Sequence, residues 1–204
     1  MKKHILAGLL LITCLPFAKG QHLQLSAFSG YTFQDRIDFH NGEARISGGH
    51  TYGGMFSLVL HEAVELELLY SRQDATASAY SSSEDIDESG PVSVNYILAG
   101  GNKLFHASGK LKLFGGGKAG VGIIASKDGN FDTITKFSVH LGAGMKYFIT
   151  PGVGIRIQGN LTFPVVNAGG SLWWSPGGGT HVGVSSWSPL LQFGFTGGLV
   201  FNLN

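Results

Sequence analysis

The sequence has little cysteine. Its single cysteine, Cys14, lies in the first twenty residues, which begin with Lys2 and Lys3 and continue with an apolar run and a small-x-small site ending at Gly20. This pattern predicts a cleaved secretory signal peptide over residues 1–20. The mature chain, residues 21–204, would then have no cysteine, which excludes disulfides, thiol catalysis and thiolate metal sites. The alternative is a lipoprotein, because the residues before Cys14 resemble an acylation box.

Charge and long apolar runs are also scarce. Charged residues make up 13% of the chain, where a soluble domain has about 25%. Without the leader, 11 basic residues face 13 acidic ones, a net charge near −2 that gives no basis for nucleic-acid binding. No apolar run after the leader reaches the roughly 18 residues that a transmembrane helix needs. The 32 glycines are more than twice the usual share of about 7%. Low charge and abundant glycine favour a single domain whose β-sheet faces lipid.

What the sequence does have is alternation with a period of two. In the stretch 110–125, KLKLFGGGKAGVGIIA, one parity is apolar or small, and the other, as far as Gly122, holds lysine, glycine and one phenylalanine. A period of two indicates a β-strand, because side chains two positions apart share a face. A membrane β-strand needs roughly 9–11 residues, apolar towards lipid and polar or small towards the barrel interior. The stretch meets both requirements.

The same alternation recurs in seven further stretches, which gives eight strands. The predicted fold is all-β: an eight-stranded antiparallel up-and-down transmembrane β-barrel. Connections alternate between short (61–63, 102–109, 149–152) and long (35–45, 74–91, 126–135, 164–189). This asymmetry is typical of outer-membrane barrels and places the short turns and both termini in the periplasm.

In every predicted strand, the apolar parity is expected to face lipid. In the fourth strand this parity is Val92, Val94, Tyr96 and Leu98. Aromatic residues of the apolar parity gather near strand ends, where they would form interfacial girdles. They are Tyr31, Phe33, Tyr52, Tyr70, Phe137, Phe163 and Phe193 towards the outside, and Tyr147 and Phe201 towards the inside.

A soluble barrel of lipocalin type would show the same alternation with its faces reversed. Its water-facing surface should carry roughly 25–35% charged residues. The polar parity here is mainly Gly, Ser, Thr, Asn and Gln, which favours a barrel lumen. Glycine that recurs on this face also indicates a crowded interior and a tightly curved wall.

Charged residues of the polar parity are candidates for a lumen charge network. The lumen of an eight-stranded barrel is just wide enough for side chains to fill, so opposite charges should pair there and plug it. The alternative is a narrow ion path. The candidates are Glu65, Glu67, Lys110, Lys112, Lys146 and Arg156.

Ser138 and His140 share one face of the sixth predicted strand. With Glu65 or Glu67 as the acid, they could form a hydrolase of the Ser–His–acid kind. Their parity places them inside a packed lumen that lipid substrates cannot easily reach. We therefore expect no enzyme activity and no catalytic residue. The spacing of the histidines and acidic residues also predicts no metal site and no cofactor.

The fourth long loop carries three tryptophans in otherwise small and flexible sequence. Trp173, Trp174 and Trp187 lie within 167–188, NAGGSLWWSPGGGTHVGVSSWS. Exposed aromatic side chains offer a large contact area at a small entropic cost, so the three are candidate partner contacts. The alternative is that they pack the loop onto the barrel rim.

Four motifs carry a resemblance to a known family: VELELLYSRQD (64–74), VNYILAGGNKLF (94–105), KLKLFGGGKAGVG (110–122) and FGFTGGLVFNLN (193–204). The chain resembles the small outer-membrane β-barrel proteins of the OmpX and OmpA transmembrane-domain type, especially the glycine-rich barrel-domain family common in Bacteroidota. The resemblance covers essentially the whole mature chain.

The resemblance implies an integral protein of the outer membrane, in contact with outer-membrane lipids and lipopolysaccharide. It implies a non-enzymatic barrel that acts through its extracellular loops or outer wall, as a structural protein or as an accessory subunit of a complex with other outer-membrane proteins. The alternatives are a narrow pore and, third, a lipid A-modifying hydrolase.

Overall fold

Alternating apolar and polar residues form β-strands throughout the computed structural model, which describes residues 22–39, 42–60, 63–81, 86–106, 109–128, 133–164 and 191–203. No helix in these ranges is long and apolar enough to cross a membrane. The predicted leader lies outside the described residues. The strands are β1 (His22–Thr32), β2 (Asp35–Phe39), β3 (Gly42–Ile46), β4 (Gly49–Leu60), β5 (Val64–Ser81), β6 (Ile86–His106), β7 (Leu111–Ser126), β8 (Ile134–Phe148), β9 (Val153–Pro164) and β10 (Gln192–Leu203).

Eight of these strands form a closed antiparallel wall. From β4 to β10 each wall strand pairs with the next along the chain. β1 closes the barrel, because it pairs with β4 on one side and with β10 on the other. The predicted eight-stranded antiparallel barrel is confirmed.

Two of the predicted long loops contain regular structure. Within 35–45, β2 and β3 form a hairpin, and β3 pairs with the upper part of β5. Within 74–91, β5 continues to Ser81 and β6 begins at Ile86, so most of this predicted loop is a strand hairpin. Residues 75–79 are small and show no clear apolar alternation, so the sequence did not predict a strand there. Backbone pairing with β3 and β6 holds them in the sheet.

The wall presents apolar side chains outwards and polar side chains inwards. Leu68 and Phe195 are each 52% exposed, whereas Ser57 is fully buried and Gln158 is 1% exposed. A soluble barrel would have the reverse arrangement. The observed arrangement fits a wall in contact with lipid.

The prediction that Val92, Val94, Tyr96 and Leu98 face lipid is wrong. These side chains are at most 8% exposed and pack inside the barrel. The lipid-facing parity of β6 includes Ile97 instead, which is 46% exposed. The opposite parity begins with the polar residues Ser93 and Asn95, so the local alternation pointed to the wrong face, and the inward direction of the apolar parity is set by pairing with the neighbouring strands.

Glycines on the two faces of the wall have different surroundings. A Cβ added at lumen-facing Gly116 would lie 2.1 Å from the Gly101 carbonyl oxygen, and one at lumen-facing Gly144 would lie 2.1 Å from the Ile157 carbonyl oxygen. A Cβ added at lipid-facing Gly115 would meet nothing within 4 Å. The inner parity therefore needs glycine where the curved strands approach closely, as the sequence predicted.

Candidate functional site

The barrel interior has two layers of different chemistry. One layer is apolar and consists of Phe28, Met55, Leu69, Ala77, Val92, Val94, Tyr96 and Leu98. The other layer, nearer to the chain termini, contains the charged residues. Two carboxylates come from β5, where Glu65 and Glu67 alternate with lipid-facing leucines, and three cations come from β7, β8 and β9.

Glu65 is paired with a lysine across the lumen. Lys146 Nζ lies 2.5 Å from Glu65 Oε1 and also donates a hydrogen bond to Gln24 Oε1 at 2.8 Å. Asn102 Nδ2 donates to Glu65 Oε2 at 3.2 Å and to Glu67 Oε2 at 2.9 Å. The amide therefore links the two carboxylates into one network.

Glu67 is surrounded by donors. Arg156 Nη1 lies 2.9 Å from Glu67 Oε2 and Nη2 lies 3.3 Å from Oε1, while Lys118 Nζ lies 3.2 Å from Oε1. The Arg156 guanidinium also stacks 4.3 Å from the centre of the Phe114 ring. All the charged groups of the network are at most 3% exposed. Three cations face two carboxylates, and a cation–π contact of this kind stabilises the excess positive charge.

The structure brings together four of the six predicted network residues: Glu65, Glu67, Lys146 and Arg156. Lys110 is exposed, and the half-buried Lys112 has its Nζ 5.8 Å from the Phe148 ring centre. Neither lysine pairs with a carboxylate in the described part of the chain.

Lys118 is a network residue that the sequence reasoning missed. It has the same parity as Lys110 and Lys112 but lies further into β7, at the level of Gly100. Its distance from the strand end could have identified it, because a charged side chain at mid-membrane depth must pair with an opposite charge inside the barrel.

Ser138 and His140 are both buried, but they are not arranged as a nucleophile and its base. Ser138 Oγ donates to the Lys136 carbonyl oxygen at 3.5 Å. His140 Nδ1 hydrogen-bonds to Thr162 Oγ1 at 2.9 Å, and its Nε2 lies 3.4 Å from Gln158 Nε2. Within the described ranges, no hydrogen bond joins the two residues, and no group of three His, Cys, Asp or Glu residues could hold a metal ion.

A small cavity remains in the lumen. It measures about 30 Å³ and is lined on one side by apolar residues such as Phe28 and Leu69, and on the other by polar residues such as His140 and Asn160. This is room for roughly two water molecules. A pocket for an organic ligand usually measures about 300–1,000 Å³, so the cavity is far too small for one.

The outer wall carries aromatic rings at the rim remote from the termini. Phe33 stacks on Phe193 with ring centres 5.9 Å apart, and Tyr31 and Phe195 pack edge-on against this pair. Most of the predicted girdle residues are large exposed side chains, as expected at a membrane interface. They are Tyr31, Phe33, Tyr52, Tyr70, Phe137, Tyr147 and Phe193. The tryptophan candidates Trp173, Trp174 and Trp187 lie outside the described residues.

No protein-family model and no curated protein matches this sequence. Among solved structures, Neisserial surface protein A is similar, with a TM-score of 0.60 and 13% identity over 91% of this chain and 100% of that one. The outer membrane protein AlkL in lipid bilayers is also similar, with a TM-score of 0.53 and 12% identity over 94% of each chain. The chain has the fold of the small outer-membrane β-barrels. The resemblance to the OmpX and OmpA type is thus confirmed for the fold, which at these identities is all that the likeness shows. This fold and the apolar outer wall fit a barrel embedded in a membrane.

Proposed function

We propose that this chain is a non-conducting outer-membrane barrel that serves as a structural protein or accessory subunit. It acts through its outer wall and extracellular loops, and its termini lie in the periplasm. The observation that carries this proposal is the filled lumen, in which the charged groups are buried and paired.

An ion crossing the lumen would have to separate these pairs. Breaking a buried ion pair by removing one partner costs about 3–5 kcal/mol. Next to the charged layer, apolar side chains line one side of the lumen and polar side chains line the other, and together they leave a cavity of only about 30 Å³. These two layers support a plug over the alternative of a narrow pore.

The surface left for function is therefore the outside of the barrel. The lipid-facing wall is in contact with outer-membrane lipids and lipopolysaccharide, and the loops project from one rim. Within the fourth long loop, Trp173, Trp174 and Trp187 remain the proposed contacts with another outer-membrane protein.

The first test is purification of the tagged protein from its native membrane in mild detergent, followed by mass spectrometry. We expect partner proteins in a fixed ratio, and we expect them to be lost when all three tryptophans are replaced by alanine. Recovery of a lone barrel would contradict the subunit role.

The second test is conductance in planar bilayers, where we expect no large, stable, stepwise openings. Such openings from the wild-type barrel would support the pore instead. The third alternative, a hydrolase, predicts that the mass of lipid A in cells changes with Ser138→Ala. Our proposal predicts no difference.

A further inference from the structure

The outer wall carries a cluster of charged side chains at the rim remote from the termini. Arg72 and Asp74 belong to the outward parity of β5, and Lys127 follows the end of β7. Asp74 Oδ1 lies 3.3 Å from Arg72 Nε and 2.9 Å from Lys127 Nζ. All three side chains are slightly more than one-third exposed. We call these three residues the rim cluster.

The rim cluster carries an excess positive charge. The hydrogen bond from Lys127 holds the pKa of the Asp74 carboxyl below its ordinary value, so Asp74 is ionised at neutral pH. Two cations then face one carboxylate. Arg72 uses its Nε for Asp74, and its two Nη groups make no hydrogen bond or ion pair with the described residues.

The cluster lies immediately beyond the apolar belt of the wall. Along β5, Tyr70 is the last lipid-facing aromatic residue before Arg72, and it pairs in register with Ile97, which in turn pairs with Val121. These three side chains are between 38% and 46% exposed. A lipid headgroup would lie at the level of the rim cluster, because aromatic residues mark the membrane interface.

Below the cluster, the lipid-facing surface of β6 and β7 is made of small residues. Ala99 pairs with Ala119, and Gly101 pairs with Gly117. Larger side chains flank this surface, since Leu68 pairs with Ala99 on one side and Leu141 pairs with Gly117 on the other. The result is a shallow apolar trough that is separated from the rim cluster by the side chains of Ile97 and Val121.

We propose that Arg72 and Lys127 bind a phosphate group of lipid A, with an acyl chain of that lipid lying in the trough of Ala99, Gly101, Gly117 and Ala119. A phosphate complements the positive charge of the cluster, and the free Nη pair of Arg72 suits its oxygens. The site rests on the proposed function in one respect. The rim faces the lipid A leaflet only if the barrel is inserted with its termini in the periplasm.

The test uses the full-length protein, folded in detergent micelles, and native mass spectrometry with defined lipids. The probes are lipid A with both phosphates, the dephosphorylated form, and inorganic phosphate as competitor. We expect wild-type protein to retain the phosphorylated form preferentially. Arg72→Gln with Lys127→Gln should weaken retention about 25-fold, since each cation near an anionic lipid surface contributes about fivefold.

Two control variants distinguish specific phosphate binding from general charge attraction. Lys103→Gln removes a lipid-facing lysine near the opposite rim and should change retention less than twofold. Asp74→Asn removes the negative charge of the cluster and should strengthen retention severalfold. An equal loss in the Lys103 variant would show non-specific charge attraction and overturn the site.

Other outcomes would also overturn the inference. They are equal retention by the wild-type protein and the double variant, no preference over the dephosphorylated lipid, and complete displacement by inorganic phosphate. Folding of each variant is checked by heat-modifiable gel migration, and the single variants Arg72→Gln and Lys127→Gln replace the double one if it does not fold. Flotation with lipid vesicles distinguishes failure of the proposed function from failure of this binding site alone. A wild-type protein that does not float contradicts the proposed function, whereas one that floats without phosphate preference contradicts only this site.

Discussion

Replacing Glu67 by glutamine tests whether the lumen is a dry plug. The substitution keeps the side chain's shape but removes the charge that Arg156 and Lys118 share, and it turns one acceptor oxygen into a donor facing other donors. Leaving a buried charge without its partner costs about 3–5 kcal/mol. Domains of this size are stable by about 5–15 kcal/mol, so the loss should be a large fraction of the total.

The measurement is reversible urea unfolding of the barrel in lipid vesicles, with the folded fraction read from gel mobility without heating. With a urea dependence of about 2 kcal/mol per molar, the unfolding midpoint should fall by about 2 M.

The matched control for Glu67→Gln is Asp74→Asn, which makes the same chemical change in an exposed ion pair. Exposed pairs contribute about 0–1 kcal/mol, so the midpoint should move by less than about 0.5 M. Equal shifts in the two variants would refute the reasoning. They would mean that water reaches Glu67 and screens its charge as it does at the surface, and the lumen would then be a hydrated path.

Two further substitutions test the wall itself. Gly144→Ala should destabilise the barrel by about 1–3 kcal/mol, because the new methyl group would lie 2.9 Å from the Phe114 ring as well as against the wall. Gly115→Ala should stay within about 0.5 kcal/mol, and equal midpoints in urea would refute the crowded interior. Leu68→Arg places a charge in the apolar belt and should cost about 2–4 kcal/mol in vesicles. Thr76→Arg, on the same face beyond the belt, should cost little, and an equally small cost for Leu68→Arg would show that the wall does not face lipid.

Outside β6, the alternation in the sequence predicted correctly which face of each wall strand points to lipid. In β5, lipid-facing Leu66 and Leu68 alternate with Glu65 and Glu67, and a charge cannot be left in lipid without a large cost. The faces of such a strand are therefore set by local residues alone, which explains why the closed barrel and its inward-facing carboxylates were predictable.

Other features depend on residues in distant strands. In the stretch from Val92 to Ala99 the inward parity is apolar although the opposite parity includes Ser93 and Asn95, so its orientation follows from pairing with β5 and β7 and not from its own residues. The part of β5 after Asp74 is held by backbone hydrogen bonds to its neighbours, and such bonds cannot be predicted from a pattern of side chains. Lys118 meets Glu67 because the stagger between strands brings them to one height, and this stagger is a property of the closed barrel.

The buried charges also explain how β6 keeps its orientation although the apolar parity of its upper half points inwards. A shift of one residue would move every side chain of a strand to the opposite face. In the upper half of β6 such a shift would turn Val92 and Val94 towards lipid and bring Ser93 and Asn95 into the lumen, an exchange that these residues do not oppose. Lower in the same strand, Asn102 is 2% exposed and donates to both lumen carboxylates. The shift would turn its amide towards lipid and leave Glu65 and Glu67 with fewer donors. The polar network is therefore what selects one register for this strand, and a plug built only of apolar residues would not have done so.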